Sequence, residues 1–428
     1  MNDWKKIKQI YASEFFKYSV ALLSSNAISQ LIGILAYPFI TRIYAPDVFG
    51  EFNWLLSIAG VLSLFSTGKY ELAIVLTKSK KESIALFQLC IILNLLVFSL
   101  SFFIVSVWKP EIASWFNLKN LFSLILFIPF IILLTGIGQT LNYFFIRQKQ
   151  YYTVSAYNII QSITGSVLKC VLGIKGFFQT GLLWGTSLGQ FTAIFVCVIT
   201  GKSQMKGLVK INTSQIIQVA KVYSNFPKFE LPYVLLNTFA SNLPVLLLSF
   251  HFEMEAVGLF SLAVTIGFRP INLFTNSVYQ VLFRRGSERI QNKGNLKDEC
   301  FLFCKMCLFF ILPFFILMLF VPDELFGTLF GQRWEGVGFY LKLLLPGLFF
   351  NIMVASLSFI PDIFFKQKTA MKIEIGYVAL KIIALSFGIY CRNFDVAIIT
   401  YCCVVVLMLI IKLIWYFRLI KEYELSKN

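Results

Sequence analysis

SNAISQLIGILAYPFITRIYAPDVFGEFNWLLSIAGVLSLFSTGKYELAIVLTKSKK, residues 25–81, holds two long apolar segments joined by the turn Tyr44-Ala45-Pro46-Asp47. Polar and ionised side chains sit where a hydrocarbon solvent should forbid them. Asn26, Gln30 and Arg42 lie in or at the end of the first segment, and Lys69, Tyr70 and Glu71 lie in the second. An Arg, Lys or Asp at the centre of a membrane helix costs about 2.5–3.5 kcal/mol on insertion scales, so such residues face a bundle interior or a watery cavity. The hairpin therefore reads as one wall of a transport path.

The rest of the chain supports a membrane reading. Of its 428 residues 58% are hydrophobic and only 14% charged, and the mean hydropathy is +0.76, far outside the range of soluble globular domains. A sliding window predicts an all-α, polytopic protein with twelve apolar segments, near 18–41, 51–77, 84–107, 121–146, 154–174, 177–200, 226–250, 257–283, 300–321, 338–361, 371–390 and 394–417. Each approaches or exceeds the roughly 20 residues a helix needs to cross the hydrocarbon. Nothing longer than the polar stretch 201–224 remains for a soluble domain. The expected organisation is an interfacial segment 1–17, a six-helix lobe 18–200, a cytoplasmic linker 201–224 and a second six-helix lobe 225–428. The first apolar segment is too long for a signal-peptide core and is expected to stay in the mature chain.

The net charge of +17 raises the question of nucleic acid, and its distribution answers against it. Most lysines and arginines fall at the termini and in the even-numbered connections, whereas the odd ones hold six: Arg42, Lys109, Lys119, Lys175, Arg333 and Arg392. That asymmetry is the positive-inside pattern and predicts both termini in the cytoplasm.

The halves repeat weakly. Val48-Phe49-Gly50-Glu51-Phe52 returns 208 positions later as Ala256-Val257-Gly258-Leu259-Phe260, and a basic loop follows the second segment of each half. Six spans return a half to its starting side, so the repeats are parallel, two lobes about an axis along the membrane normal. Pro227, Pro232 and Pro244 mark the seventh segment as bent or broken. Gly181, Gly185 and Gly189 make a small-residue face suited to close helix packing.

No catalytic set is visible: one histidine, no phosphate-binding loop and no carboxylate pair at helical spacing in a span. Cys304 and Cys307 form a C-x-x-C with Cys300 on the same face, but further ligands are missing and the lone His251 is placed across the membrane, so no metal or cofactor is expected. What the spans hold is an excess of positive charge. Lys228, Lys305, Lys342 and Lys412 stand near segment ends and can snorkel. Lys69, Lys169, Arg269 and Lys381 are placed deeper, and structural pairing is favoured for Lys169 and Lys381. For Arg42, Lys69 and Arg269 a cavity that accepts an anion and a structural pairing weigh evenly. Glu71 reads as the ion-pair partner of Lys69 or as a proton-sensitive gate, with pairing favoured. Amides such as Asn26, Gln30, Gln139, Asn142, Asn158 and Gln161 bridge helices or meet sugar hydroxyls.

Asn26, Gln30, the run Pro38-Phe39-Ile40-Thr41-Arg42, Phe49-Gly50, Tyr70-Glu71-Leu72-Ala73-Ile74 before a lysine-rich loop, and Gly181-Leu182-Leu183-Trp184-Gly185 before Gly189-Gln190 carry a resemblance. The chain resembles the bacterial O-antigen type polysaccharide flippases of the multidrug/oligosaccharidyl-lipid/polysaccharide (MOP) exporter superfamily. The resemblance implies a non-enzymatic inner-membrane transporter that moves an undecaprenyl-diphosphate-linked oligosaccharide by alternating access. It also implies H+ or Na+ coupling and work beside a polysaccharide polymerase and chain-length regulator. On that reading Arg42, Lys69 and Arg269 attract the anionic part, with Glu71, Asn26 and Gln30 as further contacts. A drug antiporter of the same superfamily should carry an acidic residue in its first helix, and 19–41 has none. A peptidoglycan-precursor flippase shares the diphosphate and the fold.

Overall fold

The computed structural model describes residues 14–108, 110–111, 124–203, 205, 212–291, 296–364 and 366–425. Every regular element among them is helical. Among the described residues ten helices are long and apolar enough to cross a membrane, and they coincide with ten of the twelve expected segments. The other two segments are also helices of spanning length, α1 (Glu14–Ile43, 30 residues) and the later Tyr151–Ile174 (24 residues). The interfacial segment expected over 1–17 falls mostly outside the described residues.

The chain separates into two compact units, 1–246 and 247–428. In the first, α1 leads through a short turn to α2 (Pro46–Thr67), which starts with proline at its first turn, where a missing N–H costs nothing. The second apolar segment then breaks: α2 stops at Thr67, and a separate short helix α3 (Tyr70–Leu76) completes the crossing. α4 (Lys80–Val107) begins at Ser79, whose side chain accepts from the Glu82 N–H and so caps the helix. α5 (Phe127–Arg147), α6 (Tyr151–Ile174) and α7 (Gly181–Thr200) follow. The amphipathic α8 (Thr213–Val222) lays Ile216 and Val219 against the unit's core of Ala85, Leu86, Phe144, Phe145 and Cys197.

The glycine face works as read. A side-chain carbon built on Gly185 would meet the Lys169 backbone nitrogen at 2.8 Å, and one on Gly189 would meet the Gly165 Cα at 2.7 Å. α6 and α7 touch backbone to backbone there, a contact only a hydrogen side chain permits.

The seventh segment opens with one π-helical turn, Phe226–Glu230, containing Pro227. Regular helix starts at α9 (Leu231–Leu248), with Pro244 inside it.

The second unit holds α10 (Met254–Gln291), an unbroken 38-residue helix. The sequence repeat has a packing meaning: Phe49 and Phe52 in α2, and their counterparts Val257 and Phe260 in α10, are all buried. α11 (Leu296–Met306) and α12 (Leu312–Leu319) are joined by a π-helical turn, Cys307–Ile311. α13 (Asp323–Phe330), α14 (Val337–Ser356), α15 (Ile360–Ile363), α16 (Gln367–Tyr390) and α17 (Phe394–Leu425) complete the chain. An aromatic string, Phe260–Tyr340–Phe394–Phe252, stitches α10, α14 and α17 at centroid distances of 5.4–6.3 Å. The Tyr340 hydroxyl donates to Asp395 Oδ1 at 2.9 Å.

Candidate functional site

The break in the second span is the feature that sequence reasoning missed. Gly68 and Lys69 both adopt the left-handed conformation, with φ of +58° and +63°. For glycine this is free; for lysine it costs about 1–2 kcal/mol. The strained residue is held by its side chain. Lys69 Nζ lies 3.4 Å from Glu71 Oε1, with the two side chains 11% and 1% exposed. The Thr67 hydroxyl donates to the other carboxylate oxygen at 2.6 Å. Thr67, Lys69 and Glu71 therefore clasp the gap between α2 and α3. The far end of α3 is tied down too: Arg147 of α5 donates to the Thr77 carbonyl at 2.9 Å and to its hydroxyl oxygen at 3.2 Å. Gly68 was the available signal, since a glycine inside a strongly apolar segment permits a change in the sign of φ.

Arg42 stands in the last turn of α1 and is exposed. It is not beside Lys69: the 22 residues of α2 lie between them, about 33 Å at the helical rise. The two cations sit at opposite ends of one span. Arg269 is half-buried in α10 of the second unit.

Asn26 takes the bridging role: its Oδ1 accepts from Asn158 Nδ2 at 2.8 Å, linking α1 to α6. Ser162 reinforces that seam by donating to the Ser29 carbonyl at 2.6 Å, and Tyr44 closes it by donating to the Lys169 carbonyl at 2.8 Å. Gln30 is half-buried on α1. Gln139 Oε1 and Asn142 Oδ1, three residues apart on α5, are enclosed and accept no hydrogen bond from any described residue; the same holds for Gln190 Oε1 of α7. Buried acceptors normally have donors.

Four further lysines of the spans have described neighbours. Lys342 pairs with Asp323 at 2.9 Å, and Lys412 pairs with Glu374. Lys169 stands over the Phe52 ring at 5.1 Å. Lys381 lies against tyrosine rings.

Comparison with known proteins gives the family and the fold. Residues 39–338 match the family of polysaccharide biosynthesis proteins. The teichuronic acid biosynthesis protein TuaB of Bacillus subtilis (strain 168) is 21% identical over 247 residues, 56% of this chain and 49% of that protein. The match thus spans about half the length of that curated relative. Among solved structures, the lipid II flippase MurJ in an inward closed conformation has a TM-score of 0.70 at 14% identity, covering 96% of this chain and 91% of MurJ. An inward-facing multidrug resistance MATE transporter of the MOP superfamily has a TM-score of 0.64 at 12% identity, covering 96% and 99%. These two likenesses establish the fold, all-helical and like that of the two transporters, in agreement with the all-α expectation.

Proposed function

Because the chain belongs to the polysaccharide biosynthesis protein family and has the MOP exporter fold, we propose that it is a flippase for an undecaprenyl-diphosphate-linked oligosaccharide repeat unit. It carries that unit across the bacterial inner membrane by alternating access, with both termini in the cytoplasm, for O-antigen, capsule or exopolysaccharide synthesis. The family match over residues 39–338 carries the proposal. TuaB is named for teichuronic acid biosynthesis and MurJ as a lipid II flippase, and a lipid-linked glycan is a cargo that accommodates both names.

This chain's residues are suited to that cargo. Lys69 is the cationic contact at the cytoplasmic end of α2, where the positive-inside pattern puts the lysine-rich loop 78–81. Arg42, one helix length away, is the cationic contact at the periplasmic end, so the diphosphate meets the two in succession. Glu71 holds Lys69 until the cargo competes for it, which keeps the ammonium compensated in the resting protein. Arg269 attracts the anionic part from the second unit. Asn26, Gln30, Gln139 and Asn142 offer hydrogen bonds to sugar hydroxyls. H+ or Na+ coupling supplies the energy, and a polymerase with its chain-length regulator receives the product.

The test is export of the lipid-linked repeat in cells carrying Lys69→Ala with Arg269→Ala at normal protein level. Loss of export supports these contacts, and undiminished export removes them. Efflux of organic cations without any effect on surface glycan would favour a drug antiporter instead. Rescue of peptidoglycan synthesis alone would favour the precursor flippase.

A further inference from the structure

Five side chains on the hairpin of α16 and α17 have no part in the reading above. Glu374, Tyr377 and Lys381 recur at intervals of three and four residues, so they form one stripe of α16. Lys412 of α17 reaches this stripe, pairing with Glu374 and standing 4.7 Å from the Tyr377 ring centre. Lys381 Nζ stands 4.1 Å from the same ring centre and 5.9 Å from that of Tyr401. The hairpin register is pinned where Thr400 donates to the Ala384 carbonyl at 2.9 Å. Lys381 lies nine residues before the end of the 24-residue α16, about 14 Å along its axis, well inside the span, and is only 8% exposed.

The charge does not close. Two ammonium groups face one carboxylate, and Lys412 already holds that carboxylate. Among the described residues Lys381 makes no hydrogen bond and no direct ion pair; its ammonium lies against the two ring faces and shares the field of the Glu374 carboxylate with Lys412. The hydroxyls of Tyr377 and Tyr401 likewise donate to no described acceptor. Ring faces attract a cation but do not take up the three directed N–H bonds of an ammonium. Ionised groups inside spans are compensated as a rule. We propose that Lys381 anchors an anion-binding site that takes one small monovalent inorganic anion of halide size, with the tyrosine hydroxyls beside it as further donors. One uncompensated positive charge calls for one negative charge. Aromatic rings on two sides of the ammonium favour a compact ion over a diphosphate.

The full-length protein, purified in detergent, is unfolded thermally in sodium chloride, bromide or gluconate at equal ionic strength, and separately with inorganic pyrophosphate. Chloride and bromide are expected to raise the midpoint by a few degrees over gluconate, in saturable fashion. Lys381→Met should abolish the shift and Lys381→Arg should retain it. Glu374→Gln, which releases Lys412, should move half-saturation to lower halide. Equal midpoints in the three salts, or an undiminished shift in Lys381→Met, would overturn the proposal. A shift with pyrophosphate alone would overturn the halide assignment. Should Lys381→Met fail to fold, bromide-soaked crystals of the unaltered protein decide: an anomalous peak beside Lys381 Nζ supports the site, and its absence refutes it.

Discussion

Removing the Lys69 side chain tests the clasp at the broken span, because its two roles push stability in opposite directions. Lys69→Met leaves the Glu71 carboxylate, 1% exposed, without its cation. Breaking a buried pair from one side costs about 3–5 kcal/mol. Lys69→Gly removes the same charge but also relieves the left-handed backbone at φ +63°, so it should be about 1 kcal/mol less damaging than Lys69→Met. Glu71→Gln strands the lysine instead. That side chain is 11% exposed and can find some water, so the loss should be smaller, about 1–3 kcal/mol. Lys69→Met with Glu71→Gln leaves no orphaned charge and should cost less than the sum of the singles by about 0.5–3 kcal/mol. Reversible unfolding of the four variants in mixed micelles measures each value. Additive singles, or Lys69→Gly no better than Lys69→Met, would show that neither the pair nor the backbone strain operates as described.

Other expectations follow from the same geometry. Gly189→Leu should separate α6 from α7, because its side chain would enter Gly165; a loss of about 1–3 kcal/mol and reduced yield are expected, whereas Gly60→Ala, in open space, should be neutral. Tyr44→Phe deletes the bond to the Lys169 carbonyl and should cost about 1 kcal/mol, read as a lower unfolding midpoint. Gln139→Leu with Asn142→Leu removes two acceptors that have no described donor. It should leave stability unchanged or improved while lowering glycan export; a clear loss of stability would assign these amides to structure.

Much of this architecture is legible in the residues, for physical reasons. Hydropathy finds spans because backbone satisfaction in lipid leaves a long apolar helix as the solution; ten of the twelve windows coincide with apolar helices. The glycines at 181, 185 and 189 announce a close seam because nothing else admits backbone contact. The break at Gly68-Lys69 was not foreseen, since an apolar window is blind to the sign of φ. Lys69 with Glu71 could be paired by spacing alone, but the separation of Arg42 from Lys69 needed the length of α2 in three dimensions. Pro227 signalled irregularity without revealing its π-helical form. Lys381 stood out as a charge in a span, but the rings around it come partly from α17, at a contact that spacing along one helix does not encode.

The most direct test of the flippase account uses purified protein in liposomes loaded with a polyprenyl-diphosphate oligosaccharide, with movement between leaflets followed by accessibility of the glycan to an external lectin. The account predicts protein-dependent transfer that collapses in Lys69→Gly, a variant expected to fold better than Lys69→Met. Transfer no faster than in empty liposomes, from protein shown to be folded, would contradict it.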